Sequence, residues 1–162
     1  MKTSLVTILS VVGVIAAAGL NNEQADDAQT RRAIMQAAAD YGDGWYEGDA
    51  ERMERALHPE LAKRVVFTRP KSGRNGLGQM GAMTLVQYTK AGGGKNAPVE
   101  KHPAVVTILD VFENAAVVKV DGPEWIDFLH MAKWNGRWLI VNVLWEPKPE
   151  QRDRLNRLLS GA

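Results

Sequence analysis

The chain contains no cysteine. That excludes disulfides, thiolate nucleophiles and lipid attachment at an N-terminal cysteine. It also lacks any dense block of Lys or Arg: 20 basic and 19 acidic residues leave a net charge of +1, so no nucleic-acid partner is expected. Three scattered histidines, His58, His102 and His130, show no metal-ligand spacing. No Ser sits in the glycine-flanked elbow of a hydrolase nucleophile. The glycine-rich segment Lys71–Gly81 lacks the Gly-Lys pattern of a phosphate-binding loop, so no cofactor is expected. No internal repeat is present. What remains is an ordinary globular composition of 162 residues, 45% hydrophobic and 24% charged, enough for one domain with a core.

The first residues stand apart. Lys2 is followed by an apolar stretch from Leu5 to Ala18, closing on Ala16-Ala17-Ala18-Gly19. A basic start, a short apolar run and small residues describe a secretory signal peptide over residues 1–18. The run is shorter than the ~20 apolar residues that a membrane-spanning helix needs. An uncleaved anchor is the alternative. Cleavage near Ala18 removes Lys2 and no acid, leaving 19 residues of each sign. The expected location is the periplasm or the medium, with no membrane span in the mature chain. Residues 19–27 read as a polar linker.

A helix is expected from about Asp27 to Glu47, with Asp26 and Asp27 at its N-terminal end. Ile34, Ala38, Tyr41 and Trp45 recur at helical spacing. Gly42 and Gly44 weaken it locally but permit close packing. Asp49 caps a short second helix, Ala50 to Leu57, which His58-Pro59 stops. Leu61 to Phe67 reads as a helix end followed by a strand from Arg64 to Thr68. Pro70–Gly81 reads as a flexible loop, a candidate lid. Met83–Ala91 is a third helix, terminated by Gly92-Gly93-Gly94. After an irregular connection, Asn96–Pro103, four strands are expected: Ala104–Phe112, Ala115–Asp121, Trp125–Trp134 and Arg137–Trp145. Gln151–Leu159 forms a terminal helix within a helical tail, 148–162. This order implies an α+β fold with helices against one face of a curved antiparallel sheet.

The strongest local signal is Asn135-Gly136 between two apolar runs that hold four of the five tryptophans. Both residues tolerate the positive φ of a type I′ turn. A two-residue turn sets Trp134 opposite Arg137. Simple alternation then puts Asp127, Leu129, Met131, Trp138, Ile140, Asn142 and Leu144 on one face. Ile126, Phe128, His130, Ala132, Trp134, Leu139, Val141, Val143 and Trp145 take the other. Both faces are largely apolar and both need cover. Helices cover one. For the other, a second copy of the chain is the simplest partner, with the terminal helix folding back as the alternative. Trp134 and Trp145 would otherwise be exposed.

Several segments together resemble the nuclear transport factor 2-like (SnoaL-like) superfamily, and within it the putative lumazine-binding branch. They are Tyr46-Glu-Gly-Asp49, Leu57-His58-Pro59, Trp125-Ile-Asp-Phe-Leu-His130, Gly136-Arg-Trp-Leu-Ile-Val-Asn142 and Leu144-Trp145. The resemblance covers roughly residues 28–147. It implies a cone-shaped sheet packed on N-terminal helices, and dimerisation through the outer sheet face, here His130, Trp134 and Trp145. It leaves function open, because the superfamily hosts enzymes, binding proteins and scaffolds alike.

Asp127 stands out as a mid-strand carboxylate on an apolar face. It either satisfies backbone amides at the mouth or lines a pocket, and in both cases needs a polar partner. Asn142 is the nearest polar neighbour by this register. In steroid-isomerising relatives a pocket carboxylic acid acts as base, which makes Asp127 the candidate base of an isomerase or dehydratase. Tyr41, Trp45, Tyr88 and Trp138 are either core or the wall of a pocket suited to a flat aromatic heterocycle, such as a pterin or flavin precursor. His58 is read as capping a helix end. His102, before Pro103, is read as exposed. The expected ligand-binding set is thus Tyr41, Trp45, Tyr88, Asp127, Trp138 and Asn142. Three functions follow: a non-catalytic binding protein, an enzyme using Asp127, or a ligand-free structural homodimer.

Overall fold

Asn135-Gly136 turns the chain as its composition requires, with φ of 50° and 78°. In the computed structural model, which describes residues 9–95 and 104–161 with side chains from Gln24 onward, this hairpin is the centre of a six-stranded sheet. The elements are α1 (Leu9–Glu47), α2 (Ala50–Ala56), β1 (Leu57–Thr68), β2 (Asn75–Met80), α3 (Ala82–Lys90), β3 (Val105–Phe112), β4 (Ala115–Asp121), β5 (Trp125–Trp134), β6 (Arg137–Pro147) and α4 (Pro149–Ser160). The sheet runs β2-β1-β6-β5-β4-β3, antiparallel except for the parallel pair β1·β6. The α+β class is the one read from the sequence; strand β2 and the parallel pair are additions to it.

The chain divides into two units, Met1–Arg32 and Ala33–Ala162. In the first, residues from Leu9 are helical, and Arg31 Nε meets Asp27 Oδ2 at 3.1 Å, one turn apart. The helix therefore starts ahead of Asp27. The segment expected as a linker holds no Gly after Gly19 and no Pro, and its Glu, Gln and Ala residues favour helix. Residues 1–8 and 96–103, including His102, lie outside the described residues. Among the described residues, no helix is long and apolar enough to cross a membrane.

In the second unit, Ile34, Ala38 and Tyr41 of α1 are buried as one stripe. A Cβ on Gly42 would stand 3.3 Å from Ala104 Cβ and 3.4 Å from Val120 Cγ1, so this glycine does permit the helix to approach the sheet. Asp49 caps α2 by accepting from Arg52 N at 3.0 Å. The Arg52 guanidinium then reaches back to α1, donating to Asp40, Asp43 and Glu47 at 2.9, 2.8 and 2.7 Å. Three carboxylates one helical turn apart thereby anchor α2.

Several expectations are corrected. The glycine-rich loop contains strand β2, because Gly76 and Gly78 face inward beside Phe67 and Val65. A Cβ on Gly76 would fall 2.4 Å from Phe67 Cζ, so glycine lets the Phe67 ring lie against the neighbouring backbone. No helix end precedes β1; the strand begins at Leu57, and Pro59 sits at an irregular register step between Leu57 and Ala62. His58 caps no carbonyl: its Nδ1 accepts from Glu60 N at 3.1 Å, and its ring packs edge-on against Trp134.

A further correction concerns the faces. The β5·β6 register holds from Trp134↔Arg137 to Met131↔Ile140, then steps by one at a bulge, giving His130↔Asn142, Leu129↔Val143 and Asp127↔Trp145. One extra residue inverts the alternation of everything beyond it. Trp145 and Val143 therefore join Asp127 and Leu129 on the inner, buried face, while Asn142 and Leu144 turn outward.

At the end of β4, Asp121 accepts from Lys119 Nζ at 3.1 Å and from Lys148 Nζ at 2.9 Å, tying this strand to the entrance of α4. The Lys148 bond holds its carboxyl below the usual 3.8, against a smaller opposing effect of burial. A carboxyl depressed in the folded state stabilises above its unfolded pKa and loses that contribution as pH falls through the folded one. Asp121→Asn is expected to melt at a lower temperature than wild type at neutral pH. That gap should close as pH falls below the usual carboxyl range. A gap unchanged in acid, measured by circular-dichroism melts, would contradict this account.

Candidate binding cavity

On β1 the residues Leu61, Lys63, Val65 and Phe67 alternate inward. Lys63 therefore enters the interior, its side chain only 8% exposed. Its Nζ donates to Asp127 Oδ1 and to the Tyr41 hydroxyl oxygen, each at 2.6 Å. It also sits 5.0 Å from the Trp145 ring centre and 5.3 Å from that of Tyr41. Asp127 is equally buried, on the strand two places away from β1 in the sheet.

Neither charge is tolerable there without the other. Burial pushes the Lys63 ammonium below the usual 10.5, with the Asp127 carboxylate pulling the other way. Burial pushes the Tyr41 phenol well above 10, and Asp127 adds to that shift. At neutral pH Tyr41 is thus a protonated phenol, able to accept from Nζ and to donate.

This cluster forms the floor of a cavity of about 650 Å³. One wall is aromatic. Trp45 of α1 meets Trp125 edge-on at 6.1 Å, and Trp125 meets Trp145 edge-on at 5.5 Å. The loop after α3 seats Trp45 closely: a Cβ on Gly93 or Gly94 would come within 2.4 or 2.5 Å of its ring. The glycines read as a helix terminator thus also make room for an indole. Leu155 and Leu159 of α4 also line it, and Tyr88 of α3, half exposed, is part of the lining. The indole Nε1 groups of Trp45 and Trp145 are buried without a hydrogen-bond acceptor among the described residues. The volume falls in the range of small-molecule sites, and the lining combines flat apolar surface with a few convergent polar groups.

Of the six residues expected to bind a ligand, the structure brings Tyr41, Trp45, Tyr88 and Asp127 to this one cavity. Trp138 is buried on the same face but packs into the core at the hairpin end, away from the lining. Asn142 lies on the opposite face, where its Nδ2 pairs with His130 Nδ1 at 3.2 Å and its Oδ1 accepts from Arg64. It is not the partner of Asp127. Trp145, expected on the outer surface, is a wall of the cavity instead. Lys63, Trp125 and Trp145 escaped the sequence reading. Period-2 alternation from Leu61 to Phe67 would have pointed to Lys63, had that segment been read as strand throughout. Among the described residues no group of His, Cys, Asp or Glu stands ready to hold a metal.

Residues 29–146 match the protein family described as "Putative lumazine-binding", and the chain belongs to that family. No curated protein matches the sequence. Among solved structures, it is similar to an NTF2-like protein of unknown function from Shewanella baltica, with 19% identity and a TM-score of 0.56 over 75% of this chain and 96% of that one. A second, from Silicibacter pomeroyi, has 16% identity and the same TM-score over 75% and 98%. A third, from Methylobacillus flagellatus, has 17% identity and a TM-score of 0.54 over 74% and 93%. At these identities the likeness establishes the NTF2-like fold.

Breaking the buried pair tests its role. Lys63→Met leaves an unpaired buried carboxylate and is expected to cost about 3–5 kcal/mol in urea unfolding. Combining it with Asp127→Leu removes both charges and should cost less than either single change. Strictly additive losses would mean that the two groups are not coupled.

Proposed function

We infer that this member of the putative lumazine-binding family is an exported, non-catalytic protein that holds a small, flat aromatic heterocycle in its cavity. The observation that carries this reading is the hollow of about 650 Å³ with a tryptophan wall and a polar floor. A fused heterocycle such as a pteridine offers faces to stack on Trp45 and Trp145, and carbonyl oxygens for indole N–H groups that lack acceptors. A ligand-free structural protein has no use for such a space, since a filled core is more stable.

The non-catalytic part rests on the state of Asp127. A general base of an isomerase or dehydratase needs a carboxylate free to take a proton from substrate. Asp127 instead faces an ammonium at 2.6 Å. The exported part rests on Lys2, the apolar run to Ala18 and the small residues that close it.

The protein is further proposed to act as a homodimer through the outer sheet face. Val66, Phe128, Leu144 and Trp134 are 48%, 42%, 50% and 55% exposed there, next to His130. The helix α4 lines the cavity on the inner side, so it does not cover this face. A self-complementary apolar face of this kind suits a two-fold pair.

Native mass spectrometry of the protein from its own host should find a co-purifying heterocycle, and the same spectrum reads whether residues 1–18 remain attached. Lumazine titrated into the purified protein should quench tryptophan fluorescence saturably. Trp45→Ala should weaken that binding about tenfold, equivalent to ~1.4 kcal/mol. Absence of both a bound molecule and saturable quenching by any pteridine or flavin precursor would sink the ligand reading. For the dimer, sedimentation equilibrium should give twice the chain mass at micromolar concentration. Phe128→Glu with Leu144→Glu should give a folded monomer. A monomeric wild type would end that proposal.

A further inference from the structure

Stacking and shape alone do not call for an amine in the floor of an aromatic cavity. Nor does stability: an apolar pair of similar volume usually serves as well as a buried ion pair, or better. Lys63 nevertheless opens onto the hollow between a carboxylate and a phenol, each at 2.6 Å. A buried cluster of mutually bonded proton donors and acceptors that lines a cavity can act on a ligand as well as hold the fold.

We propose that Lys63 captures the carbonyl carbon of an aldehyde or ketone ligand as a reversible imine, with Asp127 and Tyr41 carrying the protons. The inference rests on the ligand-binding reading of the same cavity and gives the ligand a chemical class.

The steps follow from the groups present. Asp127 takes one proton from the Lys63 ammonium, which frees the Nζ lone pair. That lone pair forms the C–N bond as the carbonyl π electrons move to oxygen. Tyr41 gives its proton to that oxygen and recovers one from the nitrogen, leaving a neutral carbinolamine. Protonated Asp127 then returns its proton to the carbinolamine hydroxyl. The C–O bond breaks, water leaves and C=N forms as a protonated imine. Its positive charge again faces the Asp127 carboxylate, so the ion pair of the free protein is restored. Net, one ammonium and one carbonyl give one iminium and one water, with no oxidant or further reactant.

Three features favour this path. Desolvation weakens the hold of Nζ on its proton, so the nucleophilic amine is reached at neutral pH more easily than on a surface lysine. Tyr41 stays protonated across the same range and so remains a donor. The tryptophan wall limits water around the imine and slows its hydrolysis.

The probe is 2-naphthaldehyde, a flat aromatic aldehyde, added to the full chain at neutral pH with cyanoborohydride to reduce any imine. Intact mass and peptide mapping should find a single early adduct at Lys63, formed about tenfold faster than at the exposed lysines, as expected for an amine that desolvation makes easier to deprotonate. Tyr41→Phe should slow labelling at Lys63 about tenfold or more. 2-Naphthalenemethanol, which has the rings but no carbonyl, should quench the cavity tryptophans and protect Lys63 from the aldehyde. Labelling confined to exposed lysines, with quenching by the alcohol intact, overturns the imine and leaves the binding reading standing. No adduct at Lys63 and no quenching by either compound overturns both. Because the mapping is done on wild type, its outcome does not depend on a variant folding.

Discussion

An ammonium and a carboxylate taken out of water must find each other, because either one alone costs several kcal/mol or more in a protein interior. The contact between Lys63 and Asp127 is that requirement met. It joins β1 to β5 across the intervening β6, and through Tyr41 it also holds α1. Three elements that share no backbone hydrogen bonds are therefore pinned at one point. The point is also the floor of the cavity. A fold that keeps this pair cannot let the surrounding elements drift without separating charges in a medium that screens them poorly.

The inner face of the sheet is divided by what lies along it. Toward the Asn135-Gly136 turn, Leu129, Met131, Trp138 and Ile140 interdigitate as ordinary core, all buried. Toward the other end, Asp127 and Trp145 look into open space. The change from filled to hollow begins just past the bulge in the β5·β6 ladder. That bulge rotates Trp145 inward, where it meets Trp125 edge-on and supplies the face over the Lys63 ammonium. It also turns Asn142 outward to His130. One inserted residue thus makes the aromatic wall and relieves the outer face of a second tryptophan.

The architecture was readable because its signals are local. The Asn135-Gly136 turn, the buried stripe through Ile34, Ala38 and Tyr41, and the Asp49 cap each arise from a few neighbouring residues. The motifs that resemble the NTF2-like superfamily lie within residues 29–146, which match the family described as "Putative lumazine-binding". The strand hidden in the glycine-rich segment was not readable, since glycine there serves the Phe67 ring rather than a turn, and nothing local distinguishes the two uses. Asp127 could be singled out as a carboxylate in need of a partner, but its partner lies 64 residues away, beyond any spacing rule.

By itself the sequence determined the main helices and the four C-terminal strands, where the hairpin turns, and that one mid-strand carboxylate had to be compensated. Tertiary structure alone decided that Lys63 compensates it, that Trp145 faces in and Asn142 out, and that a hollow remains between α1, α4 and the sheet. The physical reason is the period of two along a strand. Alternation is a strong rule over a few residues, but a single bulge inverts it, and no local residue pattern between His130 and Met131 announced this one.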